Sequence, residues 1–347
     1  MKEKKVSILM LNYNGEKILN VIKESIRYLK ASTYDNFELL FVDNGSKDNS
    51  FEAISKYMEE IKFDKVIKIE SKVNLGFTGG NNLAYRNRDQ KSEYILLLNS
   101  DTVTKPEALR YLVRKMEEEP QVGAATGVVL KYGSELIQAT GYLMDEFYTA
   151  IPLFWNERYD ENVNYSPFLQ TYPLGACVII RQKAIEEING NGTIFDEDFF
   201  MYGDDALLGI NLWNHNYQVK SYPFIAAEHV GGASGKTLLQ LYYQLLGKVA
   251  MPEILPNRWK RYYDAYVKKV FINDLLIFPK QAGLFLDALR QGKKIGERLR
   301  SKYQFSLYKA PIIMLNQKMI LKRLLGRSRH ANEEAQGLAR NWVKSKF

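Results

Sequence analysis

A chain of 347 residues, 46% hydrophobic and 25% charged, is long enough to bury a sizeable core, as one large domain with an appendage or as two domains. That composition excludes a disordered chain, and the single cysteine, Cys177, excludes an intrachain disulfide. Cys177 sits in the apolar run 174–180, which reads as a buried inert thiol rather than a nucleophile. The net charge of +8 is unevenly divided. Residues 247–347 carry 22 Lys+Arg against 7 Asp+Glu, a net of +15, which leaves −7 for residues 1–246.

The predicted elements alternate. Residues 6–13 and 37–42 are short apolar runs, and 16–30 between them carries apolar residues at helical spacing, so the chain opens strand, helix, strand. A helix near 50–61, a strand at 65–70, a helix near 79–88 and a strand at 94–98 follow. The last strand is apolar enough to be buried on both faces. Beyond it the sequence predicts a helix after Pro106, a strand near 122–130, an aromatic-rich irregular stretch at 145–172, a strand at 174–181 and a helix after Gln182. An acidic aromatic segment, 195–205, precedes a further helix, and beyond Gly247 the chain reads as basic and helical. The expectation is an α/β fold with a mainly parallel sheet flanked by helices, and a basic helical C-terminal region. No stretch approaches about eighteen consecutive apolar residues, and residues 1–5 lead straight into the first strand. A cytoplasmic protein is therefore expected.

Ligands bind beyond the carboxyl ends of the strands in such sheets, and here four strand ends are polar. They are Asn12-Tyr13-Asn14-Gly15, Asp43-Asn44-Gly45-Ser46, the glycine-rich turn 74–82 with Gly76, Gly80, Asn81 and Asn82, and Asn99-Ser100-Asp101. Asp43 is placed to accept hydrogen bonds from a nucleobase, or to form an ordinary Asx-turn or cap. The 74–82 turn can offer backbone N–H groups to phosphate or ribose, or be a plain turn. Asp101 supplies the carboxylate oxygen that Mg2+ or Mn2+ prefers, or caps the next helix. Asp204 and Asp205 adjoin at a helix start, where one can cap the helix or take a proton from an acceptor hydroxyl. His229 precedes a glycine-rich loop and is a candidate metal ligand. The segment 231–237 is a near miss to a triphosphate-binding loop, because Val230 stands where that motif needs glycine.

Taken in order, six motifs resemble family-2 glycosyltransferases of the A-type nucleotide-sugar fold, in their rhamnosyltransferase-like branch. They are Val-Ser-Ile-Leu-Met-Leu-Asn-Tyr-Asn-Gly (6–15), Val-Asp-Asn-Gly-Ser-Lys-Asp (42–48), Asn-Leu-Gly-Phe-Thr-Gly-Gly-Asn-Asn (74–82), Leu-Asn-Ser-Asp-Thr (98–102), Phe-Phe-Met-Tyr-Gly-Asp-Asp (199–205) and His-Val-Gly-Gly-Ala-Ser (229–234). The resemblance covers about 4–235. It implies that Asn12, Tyr13 and Asp43 face the nucleoside, that 74–82, with Asn74, helps hold the nucleotide, and that Asn14, Asn99 and Ser100 also bind the donor. It implies Asp101 and His229 as ligands of a divalent ion, Asp205 as catalytic base, and Tyr202 and Asp204 on the acceptor side.

Four positions depart from the family pattern. Asn99 replaces the first acidic residue of the metal motif, so the ion would lean more on the diphosphate. Asp204 stands where Glu is commoner. Leu207 and Asn211 stand where Asp and Arg are usual.

The implied organisation is a catalytic domain over 1–245, with a donor half to about 102 and an acceptor half beyond, and a C-terminal region over 246–347. The implied activity is inverting transfer of a sugar from a nucleotide diphosphate donor, dTDP-rhamnose or a UDP-sugar, to a glycan or lipid-linked acceptor. Ser234 and Lys236 are placed to close over the diphosphate. The basic C-terminal region suits an anionic membrane surface, or packs on the catalytic domain, or forms a homodimer contact. Two other readings compete. A sugar-1-phosphate nucleotidyltransferase should carry a basic glycine-rich loop where Asn12-Tyr13-Asn14-Gly15 stands, and a nucleic-acid-binding protein leaves the acidic half unexplained.

Overall fold

The computed structural model describes residues 3–159, 166–190, 192–231, 237–325 and 328–345. The first half is β1 (Val6–Asn12), α1 (Leu19–Lys30), β2 (Phe37–Asn44), α2 (Ser50–Glu60), β3 (Val66–Ser71), α3 (Gly76–Arg86) and β4 (Tyr94–Leu98). All five residues of β4 are buried, as its unbroken apolar run requires. At about 1.5–3 kcal/mol for each large apolar side chain removed from water, such a strand is stable only at the centre of a sheet. The strands β3, β2, β1 and β4 pair in that order, all parallel, and the register sets Asn12 beside Asp43.

The second half adds β5 (Thr102–Thr104), α4 (Ala108–Glu118), β6 (Val122–Lys131), β7 (Ile137–Ala139), β8 (Tyr142–Asp145), β9 (Ala150–Pro152), β10 (Phe168–Leu169), β11 (Cys177–Arg181), α5 (Gln182–Asn189), α6 (Asp204–Asn214) and β12 (Gln218–His229). The sheet continues from β4 through β11, β6 and β12 to β10. β11 runs antiparallel to both neighbours, and β12 is parallel to β6. Along this path only β11 and β10 oppose the rest, so the mainly parallel sheet is present.

Three features depart from the expectation. β12 is a long strand with no counterpart in the predicted elements. Its pattern is broken by Pro223 and by a register shift between Ser221 and Ile225, which conceal the period-two signal. The stretch expected to be irregular contains β9 and β10, and β9 joins β8 in a small second sheet. The helix expected from 79 begins at Gly76, so most of the glycine-rich turn is helical.

The C-terminal part comprises α7 (Leu238–Ile254), α8 (Lys260–Ile277), α9 (Ala282–Lys302), β13 (Ile312–Ile313), α10 (Gln317–Leu324) and α11 (Ser328–Ser345). Helix therefore starts before Gly247, where Thr237 and Gln240 form a reciprocal capping box. The position 245–246 falls inside α7, and one continuous core runs from Leu143 and Phe147 through Leu246 and Phe285 to Val343. β13 pairs with β8.

Polar ties reinforce this junction. The buried Glu146 accepts from Arg258 at 3.0 and 2.9 Å, Trp259 at 3.0 Å, Tyr308 at 3.0 Å and the Leu315 N–H at 2.7 Å. Burial pushes the Glu146 carboxyl up, but these donors, led by Arg258, outweigh it and hold the group below its ordinary value. Arg323 likewise pairs with the fully buried Asp145. Removing one partner of such a buried pair typically costs about 3–5 kcal/mol. The basic region is packed on the part of the chain that precedes it.

Candidate active site

At the rim formed by the ends of β1 and β2, Asn12 is fully buried and donates to Asp43 Oδ1 at 3.0 Å, Ser46 Oγ at 3.2 Å and Ser50 Oγ at 2.8 Å. Asp43 Oδ2 accepts from the Ser46 N–H at 3.0 Å. The side chain of Asn14, at a left-handed φ of 49°, accepts from Lys47 N–H at 2.7 Å. These bonds lock the loops after β1 and β2 together. Tyr13, between them, is 49% exposed and offers a free aromatic face.

The 74–82 segment has a different role from a loop of free N–H groups. Leu75 N–H donates to Asn44 Oδ1 at 3.0 Å, Gly76 N–H to Asn74 Oδ1 at 2.8 Å and Phe77 N–H to the Phe200 carbonyl at 2.8 Å. A Cβ on Gly80 would lie 2.9 Å from Leu11 and 3.1 Å from Asn44 Nδ2, so glycine lets α3 pack close to the sheet. Asn81 donates to Phe77 O at 2.8 Å. Asn82 is fully buried, donating to Phe195 O at 2.9 Å and accepting from Ile194 N–H at 2.9 Å. Asn44 and Asn82 tie this rim, through α3, to the 194–200 segment.

At the end of β4, Asn99 and Ser100 are half-buried, and the backbone of Asn99 is bonded to Ala176 at 3.0 Å. β5 pairs with β12 so that His229 aligns with Thr102. This register carries His229 Nε2 to 3.0 Å from Asp101 Oδ1, although 128 positions separate them in the chain. Gly231 N–H donates to Asp101 Oδ2 at 3.3 Å. Burial pushes Asp101 up, but the hydrogen bond and charge of His229 and the Gly231 N–H together hold it below the ordinary value.

Gln138 completes this corner, its Oε1 lying 2.8 Å from His229 Nδ1. With Nδ1–H donated to Gln138, the His229 Nε2 and the Asp101 oxygen face one another as two acceptors. That arrangement calls for a proton or a cation between them. A carboxylate and an imidazole suit a divalent ion that completes its shell with substrate phosphate. Among the described residues no group of three or more His, Cys, Asp or Glu gathers to hold an ion by protein alone. Asp101 and His229 are the pair that fits one.

His229 and Asn99 also line a cavity of about 730 Å³, whose other walls come from β8, the 172–176 turn, the 201–206 turn, α7 and α8. Tyr202 and Gly203, with φ of 65° and 102°, turn the chain sharply into α6, so that Asp204 and Asp205 form its first turn. Both carboxyls line the cavity. Asp205 Oδ2 accepts from Gly175 N–H at 3.3 Å, while Oδ1 is buried without a partner. Burial pushes both carboxyls up, and for Asp205 the charge of Asp204 adds to it. Tyr142 and Tyr172, also in the lining, stack at 5.2 Å between ring centres. Leu207 is buried in the core cluster shared with the C-terminal helices, and Asn211 is buried on the same helix.

The structure thus brings together Asn12, Tyr13, Asn14 and Asp43 in one rim, Asp101 with His229 in a corner, and His229 with Asn99, Tyr202, Asp204 and Asp205 around one cavity. Ser234 and Lys236 lie outside the described residues. Gln138, Gly175 and the C-terminal Lys248 were not legible as site residues, because nothing local in the sequence marks them.

A model of glycosyl transferase family 2 matches residues 7–188. The chain belongs to that family. It is 32% identical over 210 residues to an uncharacterized glycosyltransferase of Haemophilus influenzae, covering 59% of this chain and 61% of the relative. It is 25% identical over 122 residues to the poly-beta-1,6-N-acetyl-D-glucosamine synthase of Staphylococcus aureus, covering 35% of this chain and 28% of that one. The chain spans less than two thirds of the length of these curated relatives.

Among solved structures, GalNAc-T7 with UDP, GalNAc and Mn2+ superposes with a TM-score of 0.61 at 13% identity, over 88% of this chain and 56% of that one. The mannosyltransferase PcManGT of Pyrobaculum calidifontis, with GDP-Man and Mn2+, gives 0.53 at 14% identity, over 86% of both chains. The fold is the glycosyltransferase A-type fold with a helical C-terminal region.

Proposed function

We propose that this family-2 enzyme is an inverting hexosyltransferase that moves a sugar from dTDP-rhamnose or a UDP-sugar to a hydroxyl of a glycan or lipid-linked acceptor, in cell-surface polysaccharide or glycoconjugate synthesis. The observation that carries this reading is the single cavity shared by Asp205 and by His229, which Asp101 holds. In this reading residues 1–245 are the catalytic part, with the donor half to about 102. Tyr13 stacks on the nucleobase, Asp43 and Asn12 meet the nucleoside, Asn14, Asn99 and Ser100 border the donor, and residues 74–82 shape its wall. Tyr202 and Asp204 stand on the acceptor side.

Asp101 and His229 would hold Mg2+ or Mn2+, which supplies neutralisation of the diphosphate charge. Asp205 takes the proton of the acceptor hydroxyl, and the freed oxygen attacks the anomeric carbon as the bond to the diphosphate breaks. One displacement inverts that centre. The free Oδ1 of Asp205 is the acceptor for this proton. The solved neighbours support the donor class, since one was crystallised with UDP and Mn2+ and the other with GDP-Man and Mn2+.

Exposed apolar side chains in the C-terminal region support a peripheral contact with an anionic membrane. Leu276, Ile277 and Leu325 are 75%, 65% and 74% exposed, and Lys268 on α8 and Lys280 just after it are exposed as well. Apolar side chains flanked by lysines bind anionic headgroups and acyl chains together. Among the described residues no helix is long and apolar enough to cross a membrane.

A thermal-shift screen of UDP, dTDP and GDP, with and without Mn2+, tests the donor reading. A ligand that binds only the native state raises its melting temperature. A rise with one nucleotide that depends on Mn2+ is expected; no rise with any of them removes the reading.

A further inference from the structure

α7 crosses the acceptor side of the cavity. A Cβ on Gly247 would lie 2.9 Å from the Tyr202 carbonyl, so the helix backbone presses directly on the turn that presents Asp204 and Asp205. The next residue, Lys248, enters the cavity beside that turn. It is the one lysine or arginine among the described residues that line the cavity. The remaining lining is dominated by aromatic rings, with Tyr142, Tyr172, Tyr263 and Tyr266 among them.

A lysine so placed is costly. Burial pushes the Lys248 amine down, opposed only in part by the charge of Asp274 on α8. Among the described residues the Lys248 ammonium makes no hydrogen bond and no ion pair within 4.0 Å, although most lysines on neighbouring helices do, such as Lys260 with Glu253 at 2.8 Å. Removing an ammonium from water without giving it a hydrogen-bonded anion is unfavourable, and Lys248, half-buried, keeps its Nζ accessible at the cavity. A methionine would fill the same place between aromatic rings at no such cost. The cationic end is therefore matched to something that enters from outside.

We propose that Lys248 binds an anionic group, a phosphate or a carboxylate, carried by the acceptor, while the acceptor hydroxyl reaches Asp205. The inference rests on the transferase reading above and deepens it. The alternative source of the same chemistry is the donor diphosphate. Its expected place is the Asp101–His229 corner, which β12 supplies, whereas Lys248 is carried by α7 against the Tyr202 carbonyl. The half-buried rings of Tyr142 and Tyr266 give faces on which a sugar ring stacks, and Lys248 gives the charge that selects among sugars.

The test uses the full chain, wild type and Lys248→Met, with Lys248→Gln as a second variant should the first fail to fold. Melting temperatures and calorimetric titrations are recorded with methyl phosphate and with methyl glucuronide, with methyl glucoside as the neutral control. Each is run in saturating UDP with Mn2+ so that the donor site is filled. Wild type is expected to bind one or both anions and to bind the neutral glucoside at least about tenfold more weakly, as a lost charge-assisted hydrogen bond implies. The variants are expected to lose that preference and keep the UDP–Mn2+ response. Equal anion binding by wild type and variants, or none by wild type, overturns the proposal. So does loss of the UDP–Mn2+ response in the variants with anion binding kept, which assigns Lys248 to the donor. Failure of the nucleotide response in wild type is read separately, as failure of the transferase reading.

Discussion

Gly175 and Asp205 are fitted to each other: the Gly175 N–H donates to Asp205 Oδ2 at 3.3 Å, and a Cβ on Gly175 would come within 2.5 Å of Asp205 Oδ1. The turn before β11 thus fixes one oxygen of the carboxylate and leaves the other free. Gly175→Ala should displace Asp205 without removing it. Transfer should fall about a hundredfold, the scale of a misplacement near 1 Å, with the UDP–Mn2+ thermal shift kept. Wild-type turnover from the alanine variant would show that this contact does not position the carboxylate.

Asp205→Asn keeps the shape and removes the base. Transfer is expected to fall by about 10²- to 10⁴-fold, with donor binding unchanged in calorimetry. Retained turnover rejects the base role outright.

The carboxyl pair also links activity and stability to pH. Burial, and for Asp205 the charge of Asp204, push both groups up, Asp204 to about 6 and Asp205 well above the ordinary carboxylate range. The folded chain therefore holds these protons more tightly than the unfolded one. That contributes stability fully present below the ordinary carboxylate range and lost as pH rises through about 6 and beyond. Because the base must be ionised, kcat/KM should climb along an acidic limb above that range. Asp204→Asn should raise the melting temperature relative to wild type more at about pH 8 than at about pH 5. A flat difference between those two values would contradict the shared burial of the pair.

Gln138 touches no substrate in this reading, yet it holds His229 Nδ1 at 2.8 Å and so sets which nitrogen faces Asp101. Gln138→Leu should weaken Mn2+ about 10- to 100-fold, the usual effect of removing such a partner. The readout is the Mn2+ concentration needed to produce half of the UDP thermal shift. An unchanged midpoint would show that the ring is oriented without Gln138.

On the C-terminal helices, replacing Leu276, Ile277 and Leu325 by Ser should abolish sedimentation with phosphatidylglycerol vesicles and leave the melting temperature nearly unchanged, since these side chains are already in water. Equal sedimentation of variant and wild type counts against the membrane surface. Vesicle-independent loss of a dimer in light scattering would assign the same patch to a second copy.

The amino-acid sequence alone determined the elements whose signal is local. Unbroken apolar runs announced β1, β2 and β4, helical spacing announced α1 and α2, and motif order announced the family, because burial on two faces or one leaves its own period in the chain. Tertiary structure decided what depends on elements far apart. β12, interrupted by Pro223, brings His229 to Asp101, and β7 brings Gln138 behind His229. α7 carries Lys248 past the turn that presents Asp205, although Lys248 lies in the basic helical region whose packing the sequence left open. No window of sequence contains such pairs. Their proximity is set by strand register and by a core shared between distant segments, and these exist only once the chain has closed on itself.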